Sequence, residues 1–142
     1  MYARNPLAEN RRIEIATNSE NIVFTSDHTL MGRVLGNLVK NALEASQPGE
    51  TVTLYCGPCE EGVEFSVHNP LFMPRRVQLQ VFNRSFSTKG PGRGLGTYSI
   101  KLLTERYLGG KASFTSDKKS GTTFIVRYPL EPPRNENLVM PE

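Results

Sequence analysis

The chain lacks any hydrophobic run long enough to cross a membrane. None of its apolar segments approaches the ~20 residues that a transmembrane helix requires, and residues 1–6 lack the apolar core of a signal peptide. The sequence therefore predicts a soluble chain. This prediction concerns the chain alone and leaves open whether a longer parent protein is membrane-bound.

Cysteine is scarce, and its two occurrences form a CxxC motif at Cys56 and Cys59. A redox-active pair of this kind has its first thiol at a helix N-terminus, which lowers the thiol pKa. Here the intervening Gly57-Pro58 lies between two strand patterns, and acidic residues follow. Two cysteines also cannot complete a tetrahedral zinc site, and neither histidine has ligand spacing. We therefore interpret the motif as a hairpin turn.

Charge of one sign is not concentrated along the chain. The 17 basic and 14 acidic residues leave a net charge of +3, and the basic residues are scattered. Binding of nucleic acid through a basic face is therefore not expected. The length of 142 residues, with 37% hydrophobic and 22% charged residues, is typical of one soluble globular domain.

Glycine, in contrast, is concentrated in one segment. Four glycines lie within residues 90–96, flanked by Lys89 and Arg93, and an amphipathic pattern follows at residues 98–107. Glycine allows close approach of a backbone to a ligand and adopts positive φ without strain. A helix N-terminus adds unpaired N–H groups and a positive dipole end. Together these features predict a loop that holds phosphate.

A second informative segment, residues 27–47, is predicted to form one helix. Ser26 or Asp27 can cap its start, and Pro48-Gly49 ends it. Helical spacing gives an apolar stripe (Leu30, Met31, Val34, Leu35, Leu38, Ala42) and a polar stripe (Arg33, Asn37, Lys40, Asn41, Glu44). Asn37 and Asn41 are four apart, so their amides project side by side, and amide oxygens suit Mg²⁺. A merely solvated polar face is the alternative interpretation.

The remaining pattern predicts an α+β fold. Strands are expected at residues 12–16, 22–25, 51–56, 63–67, 111–116 and 122–128, with a short helix at 74–82. Mainly antiparallel strands with helices on one face form a two-layer α/β sandwich. We assign residues 1–130 to this domain and residues 131–142 to a polar, proline-bearing tail or linker.

These motifs together resemble the catalytic domain of histidine kinases, which shares a superfamily with gyrase, Hsp90 and MutL. The asparagine helix resembles the N box. Residues 81–89 resemble the F box and the start of the ATP lid, residues 92–97 the G2 box, and residues 109–124 the final strand pair. The resemblance covers roughly residues 12–130. It implies a Bergerat-type ATP-binding fold, with a mixed, mainly antiparallel sheet.

The resemblance also implies roles for individual residues. Asn41 would ligate Mg²⁺, Asn37 would support the metal or the phosphates, and Lys40 would contact phosphate oxygens. Candidate ATP contacts elsewhere are His68, Asn69, Phe82, Lys89, Gly92, Arg93, Gly94, Leu95, Gly96, Thr97 and Thr123. His68 takes the place of the G1-box Asp that reads the adenine amino group, with Asn69 as the alternative reader. Pro70 and Phe72 replace that motif's two glycines.

The implied reaction is γ-phosphoryl transfer to a histidine. The superfamily's ATPases carry a Glu four residues before the metal-binding Asn, and that position here is Asn37. Neither His28 nor His68 matches the phosphoacceptor pattern, so the acceptor would lie on a separate dimerisation domain. The implied setting is a cytoplasmic two-component sensor kinase acting on a response regulator, without nucleic-acid or direct membrane contact. A hydrolysing ATPase and a degenerate docking module remain as alternatives.

Overall fold

A five-stranded sheet forms one layer of the computed structural model, which describes residues 11–83 and 95–131, with backbone alone at positions 95 and 96. Its strands are β1 (Arg12–Ile15), β2 (Thr51–Cys59), β3 (Gly62–Asn69), β4 (Lys111–Asp117) and β5 (Gly121–Tyr128). They are arranged in the order β1-β2-β3-β5-β4. The β1–β2 pair is parallel and the other pairs are antiparallel. The predicted mixed, mainly antiparallel sheet is thus confirmed.

The second layer contains α1 (His28–Ala45) and α3 (Leu95–Leu102), and α3 continues as a π-helical segment (Leu103–Tyr107). A short helix, α2 (Arg75–Gln78), lies between β3 and α3 in the sequence. Asp27 caps α1 as predicted, because its Oδ1 accepts a hydrogen bond from the Leu30 N–H at 2.9 Å. The apolar stripe of α1 is buried at Met31, Val34, Leu38, Ala42 and Leu43.

The hydrophobic core lies between these two layers. Because side chains alternate along a strand, Val63 and Val67 of β3 and Val126 of β5 point to the helical side, where they are buried with Ile100 of α3. The other face of the sheet is polar. There Arg127 Nε donates to Glu64 Oε1 at 2.8 Å. No helix within the described residues is both long enough and apolar enough to cross a bilayer.

The strand predicted at residues 22–25 is wrong. This segment is not a strand and pairs with no strand of the described residues. Ile22 and Phe24 pack against the core, and the Thr25 N–H donates to the Leu130 carbonyl at 2.8 Å. The alternating apolar pattern therefore arises from a connection that covers the edge of the core.

The CxxC motif is also not a turn. It forms the end of β2, where Pro58 pairs with Val63, and the hairpin turns at Glu60 and Glu61 instead. Three residues along a strand span about 10 Å and reverse the side-chain direction, which exceeds the ~7 Å limit for a disulfide. Burial moreover raises the pKa of the Cys56 thiol. The pair therefore lacks redox geometry.

One buried tyrosine ties the helical layer to the sheet. Tyr128 of β5 is 1% exposed, and its hydroxyl lies 2.7 Å from Oγ1 of Thr104 in the π-helical segment. Burial disfavours the phenolate and raises the pKa of Tyr128 to about 12, although the hydrogen bond with Thr104 acts in the opposite direction.

We expect the folded chain to lose stability as the pH rises from about 10 to about 12. In that range the unfolded tyrosine has released its proton while the buried Tyr128 retains it, so unfolding is favoured. The difference of roughly two pKa units corresponds to a loss on the order of 2–3 kcal/mol. Denaturant unfolding across this range tests the expectation. The Tyr128→Phe variant should lose less stability than the wild type, and equal losses would contradict it.

Candidate functional site

The two asparagines of α1 lie on the flank of its buried stripe. Asn37 and Asn41 are both partly buried, whereas Lys40 between them is exposed. Nδ2 of Asn41 is buried and has no hydrogen-bond partner among the described residues. An unpaired buried amide costs about 1–3 kcal/mol, so a group outside the described chain is needed to satisfy it. This arrangement fits a bound ligand better than a solvated polar face.

The structure separates the two residues predicted to read a base. Asn69 is 3% exposed and follows Val67 on the helical side of β3. His68 lies on the opposite face, where its Nε2 contacts the Ser120 carbonyl. Because α1 packs against β3 on the helical side, Asn69 faces the layer that contains Asn37 and Asn41, whereas His68 faces away from it.

Thr123 is placed with His68 rather than with the asparagines. The two residues pair across β3 and β5, so both lie on the face of the sheet away from the helices. Its neighbour Thr122 instead faces the helical layer, pairs with Asn69 and is 2% exposed. The sequence interpretation chose Thr123, although the alternation of β5 around the buried Val126 indicates Thr122.

A tight backbone contact fixes the end of β3. Gly121 begins β5 with φ of +80°. Residues other than glycine rarely adopt this backbone conformation. A Cβ at this position would lie 2.8 Å from Cα of Pro70 and would also meet the Asn69 carbonyl. The glycine therefore allows β5 to approach the residue that faces the site.

Phe82, predicted from the F box, belongs to an aromatic cluster. Its ring centroid lies 5.8 Å from that of Phe114 and 6.0 Å from that of Phe124. Lys101 of α3 places its Nζ 5.3 Å from the Phe82 centroid. The ring therefore supports α3 against β4 and β5, and it also lines an open cavity of about 290 Å³ beside α3.

The start of α3 is suited to an anion. Its first turn contains no acidic residue, so the positive end of the helix dipole is not neutralised locally. Thr97 lies in this turn and is partly buried, and α3 packs directly against α1. Lys89, Gly92, Arg93 and Gly94 lie outside the described residues, and Leu95 and Gly96 are described by backbone alone. The roles of these six positions stay predictions.

The described residues contain no group of three or more His, Cys, Asp or Glu side chains that could hold a metal ion. A divalent cation at the asparagines would therefore share its coordination with the oxygens of a ligand. Mg²⁺ commonly binds in this manner, through few protein ligands, several waters and substrate phosphates. The donor set on α1 fits such a shared site.

Comparison with known proteins agrees with this geometry. Residues 26–132 match the model of the family described as histidine kinase-, DNA gyrase B- and HSP90-like ATPase, and the chain therefore belongs to that family. It is 29% identical over 129 residues to the sensor protein DegM of Bacillus sp. (strain B21-2), covering 89% of this chain and 34% of the relative. It is 30% identical over 131 residues to the sensor histidine kinase CusS of Escherichia coli (strain K12), covering 87% and 27%.

The same agreement extends to solved structures. The catalytic domain of the histidine kinase ThkA superposes with a TM-score of 0.78 at 27% identity, covering 93% of this chain and 88% of that one. The predicted fold and the predicted histidine-kinase catalytic domain are thus confirmed. The chain spans about a third or less of the curated relatives it matches, at 34% and 27% of their lengths.

Proposed function

We propose that the chain binds Mg-ATP and transfers the γ-phosphoryl group to a histidine on a separate dimerisation domain. The observation that carries the proposal is the buried, unpaired Nδ2 of Asn41 on the helix against which α3 packs. The Nδ2 group can only donate, so it is suited to a phosphate oxygen, and Oδ1 of the same amide would be the atom that ligates the metal. Bound Mg²⁺ would neutralise charge on the phosphate oxygens.

The chain's own contribution would be to hold the phosphates in line with the acceptor. Asn41 would ligate the metal, Asn37 would orient the metal's waters or the phosphates, and the first turn of α3 would donate N–H groups to phosphate oxygens. Lys40 is exposed, so it would reach the phosphates only from the solvent side. Phosphoryl transfer requires little more than this positioning and charge neutralisation.

Asn37 also favours transfer to a side chain over hydrolysis. An amide cannot accept a proton from water near neutral pH, whereas a carboxylate at this position could act as a general base. The site would then hold ATP without activating water. From the similarity to sensor histidine kinases, we further propose that the domain acts in the cytoplasm, within a sensor kinase that passes its phosphoryl group on to a response regulator.

Labelling with γ-labelled ATP tests the reaction. The chain mixed with its parent kinase's dimerisation hairpin should yield an acid-labile, base-stable phosphohistidine on the hairpin, and the chain alone should release phosphate slowly. The hairpin incubated without the chain is the control. Brisk hydrolysis by the chain alone would identify a hydrolysing ATPase. Absence of ATP binding would identify a docking module and overturn the proposal.

The base-binding end of the site involves Asn69. Its amide offers an acceptor for the adenine amino group and a donor for a ring nitrogen, and its burial on the helical side supports this role. His68 faces away from that side, and its Nε2 contacts Ser120.

We expect Asn69→Ala to weaken ATP binding by about tenfold, the effect of one or two hydrogen bonds. His68→Ala should change the affinity by no more than about twofold, because its ring lies on the other face. Isothermal titration of each variant with Mg-ATP measures both effects. A larger loss of affinity in His68→Ala than in Asn69→Ala would show that His68, and not Asn69, binds the base.

A further inference from the structure

Two hydroxyl side chains connect the strands to the loop that follows β3. The Met73 N–H donates to Ser116 Oγ at 2.9 Å, and Ser116 Oγ lies 2.8 Å from Thr122 Oγ1. Thr122 Oγ1 then donates to the Leu71 carbonyl at 2.6 Å. The series of hydrogen bonds therefore begins and ends on the same loop. We refer to Ser116 and Thr122 as the hydroxyl clamp.

The direction of each hydrogen bond in the clamp is determined. A carbonyl can only accept, so Thr122 must donate to Leu71, and its lone pair is left to accept from Ser116. Ser116 in turn uses its lone pair for the Met73 N–H. Each hydroxyl thus donates one hydrogen bond and accepts one within the protein.

The clamp adjoins the base-binding end of the site. Thr122 pairs directly with Asn69 across β3 and β5, and both side chains are nearly inaccessible to solvent. The Met73 carbonyl is held as well, because Gln78 Nε2 of α2 donates to it at 2.7 Å. The loop between β3 and α2 is therefore fixed at Leu71 and at Met73, immediately beyond Asn69.

The loop needs such external contacts because of its sequence. Residues 70–74 contain two prolines and no glycine, so the backbone cannot adopt the positive-φ turns that glycine allows. The Met73 N–H and the Leu71 carbonyl are paired instead by side chains from β4 and β5. A displacement of this loop would move Asn69, since the two are consecutive in the chain.

We propose that Ser116 and Thr122 are positioning residues that hold the base-binding end of the site in place. By holding the Leu71–Met73 backbone, they fix the orientation of the Asn69 amide toward the nucleotide base. This inference rests on the proposed function, because it assumes that a nucleotide base occupies the space beside Asn69. Because the hydrogen bonds of the clamp go to the loop that follows Asn69, its loss should affect the recognition of the base alone.

Comparison of ATP with inorganic tripolyphosphate tests the assignment, since the second ligand has no base. In the full chain with Mg²⁺, Ser116→Ala and Thr122→Val should each bind ATP about fivefold more weakly, the effect of one hydrogen bond. Their affinity for tripolyphosphate should be unchanged. Thr122→Ser keeps the hydroxyl and should retain the wild-type ratio of the two affinities. Ser113→Ala, on the exposed face of β4, is the matched control.

The possible results distinguish a failure of the clamp inference from a failure of the proposed function. Equal weakening of both ligands, or an unchanged ratio in both clamp variants, would show that the clamp is merely structural. A wild-type chain that binds tripolyphosphate but not ATP would overturn the proposed function and this inference with it. Thermal unfolding of each variant, measured alongside, confirms that folded protein is being titrated.

Discussion

Replacement of Asn41 by alanine is expected to lower the affinity for Mg-ATP by about 100-fold or more. Oδ1 of this amide would ligate the cation, and its Nδ2, which is buried and has no partner within the described residues, would donate to a phosphate oxygen. Titration calorimetry with Mg-ATP, and with ATP in EDTA, measures the effect. The loss should be large with Mg²⁺ and small in EDTA, because the variant removes a metal ligand.

The stability of the ligand-free Asn41→Ala variant should not fall together with its affinity for Mg-ATP. Removing an unpaired buried amide relieves a desolvation cost of about 1 kcal/mol, so the ligand-free Asn41→Ala chain should be as stable as the wild type or slightly more stable. Asn18→Ala, an exposed position in the connection after β1, serves as the control for both measurements. Unchanged Mg-ATP affinity in Asn41→Ala would remove Asn41 from the site.

Gly121→Ala is expected to be the most destabilising single change at the site. The backbone of Gly121 has φ of +80°. A Cβ added at this residue would lie 2.8 Å from Cα of Pro70. Positive φ alone costs on the order of 1 kcal/mol, and the contact with backbone atoms adds strain that only movement of β3 or β5 can relieve. We expect a total of about 3 kcal/mol, or a fall in Tm of about 10 °C.

Gly49→Ala provides a matched control for this change. Gly49 has φ of +90°, but no atom of the described residues lies within 4 Å of its added Cβ. It should therefore lose only the conformational part, about 1 kcal/mol. ATP binding should weaken in Gly121→Ala, which moves Asn69, and stay constant in Gly49→Ala. Equal destabilisation of the two variants would show that the contact with Pro70 contributes nothing.

Much of the fold follows from local sequence signals. Asp27 and the apolar stripe specify α1, and alternating apolar residues specify the β2–β3 and β4–β5 pairs, because one face of each element must be buried. The parallel pairing of β1 with β2 carries no such local signal. It depends on α1 returning the chain across the sheet, which only the complete fold defines.

The two wrong predictions, the strand at residues 22–25 and the turn at the CxxC motif, have one physical origin. The same local sequence pattern occurs in segments that make different tertiary contacts. Ile22 and Phe24 alternate like a strand but cover the edge of the core. Pro58 resembles turn sequence but pairs with Val63 near the end of β2. In both cases the tertiary environment decides between conformations that the sequence leaves equally accessible.

At the site, the choice between His68 and Asn69 depends on strand register. Val63, Phe65 and Val67 recur at every second position, which already indicates that Asn69 and not His68 continues the inward face. The sequence interpretation aligned a motif instead of following this alternation. The hydroxyl clamp could not have been inferred, because Ser116 and Thr122 meet the loop only after β4 and β5 have paired.

The strand order has a consequence for how the domain assembles. The centre of the sheet joins β3 to β5, pairing Val63 with Tyr128, so the N-terminal and C-terminal halves must meet before the core is closed. Pairing between distant segments carries a large entropy of loop closure and slows folding. During synthesis β5 emerges last, so Val63, Val67 and the apolar stripe of α1 stay exposed until the ribosome has released almost the entire domain.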